Sequence, residues 1–456
     1  MPKLKYERAP VPPKTRRPLG DKPLTRRDLV NYFMEGCKKE SDLMIGVEWE
    51  KIGVYEDTGK AIGYSGPRGV EGIFGALVDR YQWQPVYSEG RVIALTKGGC
   101  SITLEPGGQI ELSGQKAKAL DENASELFHH LSEIKTVSKA LGIRWLGLGL
   151  QPVSRVDEIE WVPKERYTIM RKSLENKGAL TYSMMKQTAS IQISLDYISE
   201  ADAALKLRLA MGLAPILSAL FANSPVSEGR ANGFASKRCA IWSQTDPART
   251  GLIEAVFHED FGFEDYVRYA LDVPALFIVR GDRWIPLNGM RFGEFMEKGY
   301  GGHRVTLSDW ELHLTTIFTD ARLKKYIEVR SVDCQKTALG LSVPALLKGI
   351  FYDDSARRSA WELVGDASFG ERVRLSKLAA SKGLEAKWRG RPLVELARRL
   401  FTLAEKGLGP EADYLIPLRE ILFEYGKSPA RLLMEQFKAS LPGEEKVRRI
   451  IEWSAI

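Results

Sequence analysis

Residues 100–114 read CSITLEPGGQIELSG. Ile102 and Leu104 alternate with Thr103 and Glu105, Pro106-Gly107-Gly108 supplies a turn, and Ile110 and Leu112 alternate with Gln109, Glu111 and Ser113. A period of two on both sides of a turn predicts a β-hairpin with one apolar face. Glu105, Gln109 and Glu111 share the other face. A solvated sheet face is the ordinary setting for such acids, whereas burying them demands a neutralising cation. What favours the second setting is that the design recurs.

Residues 43–55, LMIGVEWEKIGVY, put Leu43, Ile45, Val47 and Trp49 on one side of a strand and Gly46, Glu48 and Glu50 on the other. Side chains two apart project from one surface about 7 Å from each other, so Glu48 and Glu50 repel unless something positive lies between them. In residues 187–197, QTASIQISLDY, Ile191, Ile193, Leu195 and Tyr197 alternate with Ser190, Gln192, Ser194 and Asp196. In residues 324–332, KKYIEVRSV, Ile327 and Val329 oppose Tyr326, Glu328 and Arg330. Shorter strands are expected at 144–150 and 276–280.

Helical periodicity is expected at 25–39, 68–81 and 116–141, and at 201–222, which is apolar on nearly every side and reads as a buried helix on the sheet. A capping box at Ser308 and Glu311 opens a helix ending near Asp320. RYTIMRKSL, from Arg166, reads as a basic loop. The stretch 226–251, which contains Arg238, Trp242 and Asp246, has little periodicity and exceeds the usual loop length, as lids and binding loops do. The chain is thus divided into a basic arm at 1–24, a sheet domain with helices at 25–335 and a mainly helical region at 336–456 packed on it.

If the recurring strands share one antiparallel sheet, Glu48, Glu50, Glu105, Glu111 and Glu328 line one surface with Gln192. Carboxylates so gathered raise one another's pKa, so either several are protonated or hard cations bind among them. Oxygen-only ligands favour Mg²⁺ or Mn²⁺ over zinc, and Mg²⁺ on few carboxylates keeps room for water and phosphate oxygens. No GxxxxGK[ST] loop occurs, which points to a nucleotide-polyphosphate enzyme whose metals do the cradling. Arg330, two residues from Glu328, sets a permanent cation beside that site.

Composition excludes other classes. Over 456 residues the chain is 44% hydrophobic and 27% charged, ordinary values for a globular protein. Its net charge of +7 is diffuse and accompanies no nucleic-acid-binding motif, so no nucleic acid partner is expected. Cys37, Cys100, Cys239 and Cys334 form no CxxC pair, which argues against zinc or a disulfide framework and for a reducing cytoplasm. No apolar run is expected to span a membrane, and the arm reads neither as a signal nor as a transit peptide. His303 and His313 read as structural rather than as general bases.

The runs GVEWEKIGVY, LEPGGQIELSG, RYTIMR, ANSPVSEGRANGF, RCAIWSQTD, FGFEDYVRYALDVP, HLTTIFTDARLKKYIEVR and VPALLKGIFYDD resemble, in the same order, segments of the plant-type glutamate–cysteine ligases, which proteobacteria also possess. The resemblance covers about residues 25–440 and extends to the glutamine-synthetase-like ligases. It implies an α+β fold, an antiparallel sheet curved into a funnel with the active site on its polar face and helices on its back. It also implies ATP-dependent joining of the glutamate γ-carboxylate to the cysteine amino group through γ-glutamyl phosphate, the first step of glutathione synthesis. By match to family motifs, Glu48, Glu50, Glu105, Glu111 and Glu328 would hold Mg²⁺ or Mn²⁺ with ATP and Gln192 would face the nucleotide. Arg330 and Glu105 would be catalytic, and Arg166, Arg238 and Trp242 would hold the amino acids.

Such an enzyme is expected to be a cytoplasmic monomer or homodimer, with small-molecule substrates and no membrane partner. Two departures stand out. The family usually has EHEK where this chain has Glu48-Trp49-Glu50-Lys51, and Trp49 is expected on the apolar face. A glycine-rich ADGG is replaced by Ser331-Val332-Asp333-Cys334-Gln335, which leaves open a γ-glutamyl ligase acting on a different amine. A non-catalytic glutamate- or nucleotide-binding regulator is the alternative of another class.

Overall fold

The computed structural model describes residues 24–437 and 442–456. All but the last residue of the basic arm therefore lies outside the described residues. The architecture is built on a nine-stranded sheet of β1 (Ile45–Tyr55), β2 (Gln84–Ser88), β3 (Arg91–Lys97), β4 (Cys100–Leu104), β5 (Ile110–Ser113), β6 (Ile143–Leu146), β7 (Ser190–Leu195), β8 (Ala321–Leu323) and β9 (Ile327–Asp333). The order is β8-β9-β7-β1-β5-β4-β3-β2, with β6 beside the second half of β1. Every pairing in it is antiparallel, and its ends do not meet.

The alternation read from the sequence is what the sheet buries. Ile45, Val47, Trp49, Ile102, Leu104, Ile110, Leu112, Ile191, Ile193, Ile327 and Val329 all lie in one core cluster. Trp49, 4% exposed, is on that apolar side as expected. Among the helices are α1 (Arg26–Met34), α2 (Val70–Tyr81), α3 (Leu120–Lys139), α4 (Glu165–Leu174), α5 (Thr181–Gln187), α6 (Glu200–Leu220), α7 (Lys237–Trp242), α8 (Thr337–Phe351) and α9 (Leu393–Leu408). Both α6 and α8 pack on the sheet, and α9 packs on α8.

Helix α6, 21 residues long, is apolar enough by length and composition to cross a membrane, but 94% of its most apolar window is buried, which makes it the core helix that the sequence reading expected. Several expectations need correcting. RYTIMRKSL is not a loop: Tyr167, Met170 and Leu174, at helical spacing, are the buried side of α4. The irregular stretch 226–251 contains α7, capped by Ser236. The later capping box is Thr306 with Asp309, two residues earlier than expected, and its helix stops at Leu314. Strand 276–280 joins a separate hairpin with Arg283–Pro286. The β2–β3 edge was not foreseen from the sequence.

Candidate active site

Register brings the acids together. Glu50 lies directly opposite Glu111 in the β1–β5 pair, and Glu48 lies opposite Gln192 in the β1–β7 pair. Cross-strand partners project from the same face, so the polar alternation of three strands becomes one wall. Glu105 stands at the start of the hairpin turn, where Gly108 N–H donates to its carbonyl at 2.9 Å. That turn is clamped to its surroundings. Gln109 Oε1 accepts from Gly107 N–H at 3.0 Å and Gln109 Nε2 donates to Thr188 O at 2.8 Å. Gln109 is therefore a brace for the turn.

One oxygen each of Glu50, Glu105 and Glu111 falls within 4.8 Å of the others. Glu50 accepts from Ser190 N–H at 2.6 Å and from Gln192 Nε2 at 2.8 Å. Glu111 Oε1 accepts from the hydroxyls of Thr103 and Ser113, both at 2.8 Å. Burial first, then Glu105 and Glu111, push the Glu50 carboxyl up to about 8. Burial, then Glu111, push Glu105 up to about 7. Glu48 is pushed well up by burial and by Glu111 and Glu328. Three carboxyls gathered around one point, two of which (Glu50 and Glu105) resist ionisation, are a donor set short of a cation. The set is all oxygen, so a hard divalent ion fits it.

Glu328 does not belong to this set, contrary to expectation. It is fully buried, and both of its oxygens face cations: Oε1 meets Lys324 Nζ at 3.3 Å, while Oε2 meets Arg330 Nη1 at 2.9 Å and the Arg322 guanidinium. Burial pushes its carboxyl up, but Arg322, Lys324 and Arg330 together outweigh it and hold it far below the usual carboxylate range. Arg322 lies opposite Glu328 across the β8–β9 pair. Glu328 thus anchors cations.

Those cations form the second wall. Arg330 Nη1 also donates to Gln192 Oε1, and its guanidinium sits 5.9 Å from the Trp242 ring centre and 6.0 Å from that of Phe318. The register slip between Val329 and Val332 lies at Arg330. From α7, Arg238 donates to Arg330 O at 2.9 Å and comes within 3.8 Å of Asp333. Asp333 in turn accepts from Asn223 N–H and from the hydroxyls of Ser224 and Ser236, which fixes the start of α7. From α4, Arg166 donates to Thr315 Oγ1 at 3.3 Å. Among the described residues Arg166 Nε, Arg238 Nε and Trp242 Nε1 are buried donors without a hydrogen-bond partner.

The two walls enclose a cavity of about 200 Å³ lined by Glu48, Glu50, Glu105, Glu111, Gln192, Arg166, Arg238, Trp242 and Arg330, with Met170, Met184 and Met185 also in its lining. Every residue assigned to the site from the sequence lines it except Glu328. The sequence reading missed Arg322, Tyr167 and the three methionines. It also missed Lys164, whose ammonium lies 5.0 Å over the Tyr167 ring. Tyr167 had a signal in its helical spacing with Met170, but Arg322 had none without the β8–β9 pairing. The altered segment from Ser331 to Gln335 is buried and does not line the cavity. His313 stacks on Phe292 at 4.6 Å and bonds to Ala270 O at 2.8 Å, a structural setting.

Comparisons with known proteins agree over most of the chain. Residues 44–452 match the family model described as glutamate–cysteine ligase family 2. The chloroplastic glutamate–cysteine ligases of Brassica juncea and Arabidopsis thaliana are each 38% identical over 436 residues, which covers 94% of this chain and 84% and 83% of theirs. The crystal structure of a glutamate–cysteine ligase from Francisella tularensis in complex with AMP covers 90% of this chain and 88% of its own, with a TM-score of 0.53 at 14% identity. That last likeness is one of fold.

Proposed function

Because this chain belongs to the glutamate–cysteine ligase family 2, we propose that it joins the γ-carboxylate of glutamate to the amino group of cysteine at the expense of ATP, through γ-glutamyl phosphate. The observation that carries this reading is the pair of opposed walls. An acidic set suited to a divalent ion faces buried arginine and tryptophan N–H groups that have no partner among the described residues.

A carboxylate is a poor electrophile, so it must first be converted to an acyl phosphate. A glutamate γ-carboxylate oxygen attacks the terminal phosphorus of ATP and ADP departs. The cysteine nitrogen then attacks the acyl carbon, loses a proton and expels phosphate. A divalent ion, Mg²⁺ or Mn²⁺, held by Glu50, Glu105 and Glu111 would offset the repulsion between phosphates and a carboxylate. Arg330 supplies a fixed cation at the transferring phosphate and the acyl oxygen, and its anchors, Glu328 and Gln192, keep it oriented. The unpartnered N–H groups of Arg166, Arg238 and Trp242 suit the carboxylates of the amino acids. Glu48 and Gln192 complete the nucleotide side.

Met170, Met184 and Met185 offer the acceptor a soft apolar lining, which favours cysteine's small side chain over a charged one. We place the enzyme in a reducing compartment, cytosolic or plastid, since all four cysteines are free, and read it as a monomer or homodimer. The test is ADP release with Mg²⁺–ATP, glutamate and a panel of amines. Cysteine should give the highest turnover. Equal turnover with cysteine and with no amine would overturn the assignment, and preference for another amine would make the chain a different γ-glutamyl ligase.

A further inference from the structure

A second cavity, of about 630 Å³, lies on the apolar side of the hairpin, between α3 and the turn joining β3 to β4, with Leu112 of β5 in its wall. A helix packed on a sheet normally turns an apolar stripe toward it. Between Asn123 and Glu133, α3 turns a polar one toward this cavity: Asn123, Glu126, His130 and Glu133, three or four residues apart. Two of them tie the walls together. Glu126 accepts from Gln115 N–H at 3.0 Å, and Glu133 accepts from Lys97 Nζ at 2.8 Å and Trp83 Nε1 at 2.7 Å.

The other two are left over. His130 is 3% exposed, and neither of its ring nitrogens has a hydrogen-bond partner among the described residues. Asn123 is 2% exposed; its Nδ2 donates to Gln115 O at 3.3 Å and its Oδ1 has no partner among the described residues. Buried polar atoms are nearly always paired, and each orphan costs about 1–3 kcal/mol. Burial, and then Lys51, push the His130 imidazole well below its ordinary pKa. It is therefore neutral, with one N–H to give and one lone pair to fill.

We propose that this cavity is a second binding site, for a short peptide or another small carboxylate that carries an amide group. The C=O of one amide accepts from the imidazole N–H. Asn123 Oδ1 takes the N–H of the same amide. Lys116, an exposed residue of the cavity wall with no ion pair among the described residues, takes the carboxylate. The two cavities share no lining residue, so this site is independent of the ligase assignment.

The chain has five histidines, so NMR of the full-length protein labelled at histidine gives few enough imidazole signals to assign. Glycylglycine and N-acetylglycine, added to about 50 mM, should move the His130 signal saturably, as a millimolar ligand would, and propionate should not. The shift should persist in Arg330→Ala, which disables the other cavity. Lys116→Ala, a surface change, should weaken it about tenfold, roughly the loss of one charge-assisted contact. His130→Phe should abolish binding measured by calorimetry. The proposal is overturned if neither amide moves the His130 signal, if propionate moves it equally, or if Lys116→Ala leaves the titration unchanged.

Discussion

Glu328→Gln separates the role that the structure gives this residue from the role that the sequence suggested. The substitution keeps volume and removes one charge, which leaves Arg322, Lys324 and Arg330 crowded around a fully buried neutral amide. Removing one partner from a buried ion cluster costs about 3–5 kcal/mol, because the remaining charges stay desolvated. Unfolding entropy near 2.1 cal/mol/K per residue over 456 residues amounts to roughly 1 kcal/mol per degree, so the melting temperature should fall by about 3–5 °C. Scanning calorimetry without metal or nucleotide measures this directly. Lys324→Met in the same chain should recover part of the loss by removing one stranded cation. A metal ligand behaves in the opposite way: its removal relieves repulsion and costs affinity for the ion. A melting temperature within about 1 °C of the parent, together with about tenfold more Mg²⁺ needed for ADP release, would refute the argument.

Other predictions concern the acids and the turn that holds them. Glu50 and Glu105 have carboxyls raised to about 8 and about 7 in the fold, against roughly 4.3 in the unfolded chain. Without metal, their contribution to stability is therefore best below about pH 4 and is lost as pH rises through 7 to 8. A divalent ion must displace those protons, so apparent Mg²⁺ affinity should climb about fiftyfold between pH 6 and 7, level off above 8 and release protons detectable by calorimetry in buffers of different ionisation enthalpy. A flat profile would count against the trio as ligands. Glu105→Gln should lower ADP release by about 10² or more with little loss of melting temperature, whereas equal turnover would remove Glu105 from the site. Arg330→Lys keeps the charge but loses the planar fork held by Glu328 and Gln192, and kcat should fall about 10²-fold. A Cβ on Gly107 would lie 2.2 Å from Lys186 O, backbone that cannot swing aside. Gly107→Ala should thus push the turn and Glu105 outward, which limited proteolysis and a rise in the Mg²⁺ requirement would both register.

Local sequence settled which side of each strand is apolar and hence which acids can share a surface. The period of two in 45–55, 100–113, 190–195 and 327–332 is a property of the extended backbone, independent of what lies beside it. The family likeness rests on the same runs. What a strand cannot state is its neighbour. That Glu50 faces Glu111 rather than Glu48 facing Glu105 follows from the β1–β5 register, and pairing is fixed by contacts distant in the chain. The fate of Glu328 turned on this. Its own strand offers one cation, Arg330, whereas Arg322 and Lys324 arrive from β8 and the turn beyond it. Only with all three in place does the charge balance tip from metal ligand to anchor, because a buried carboxylate takes whichever cation sits nearest and the folded chain supplies its own.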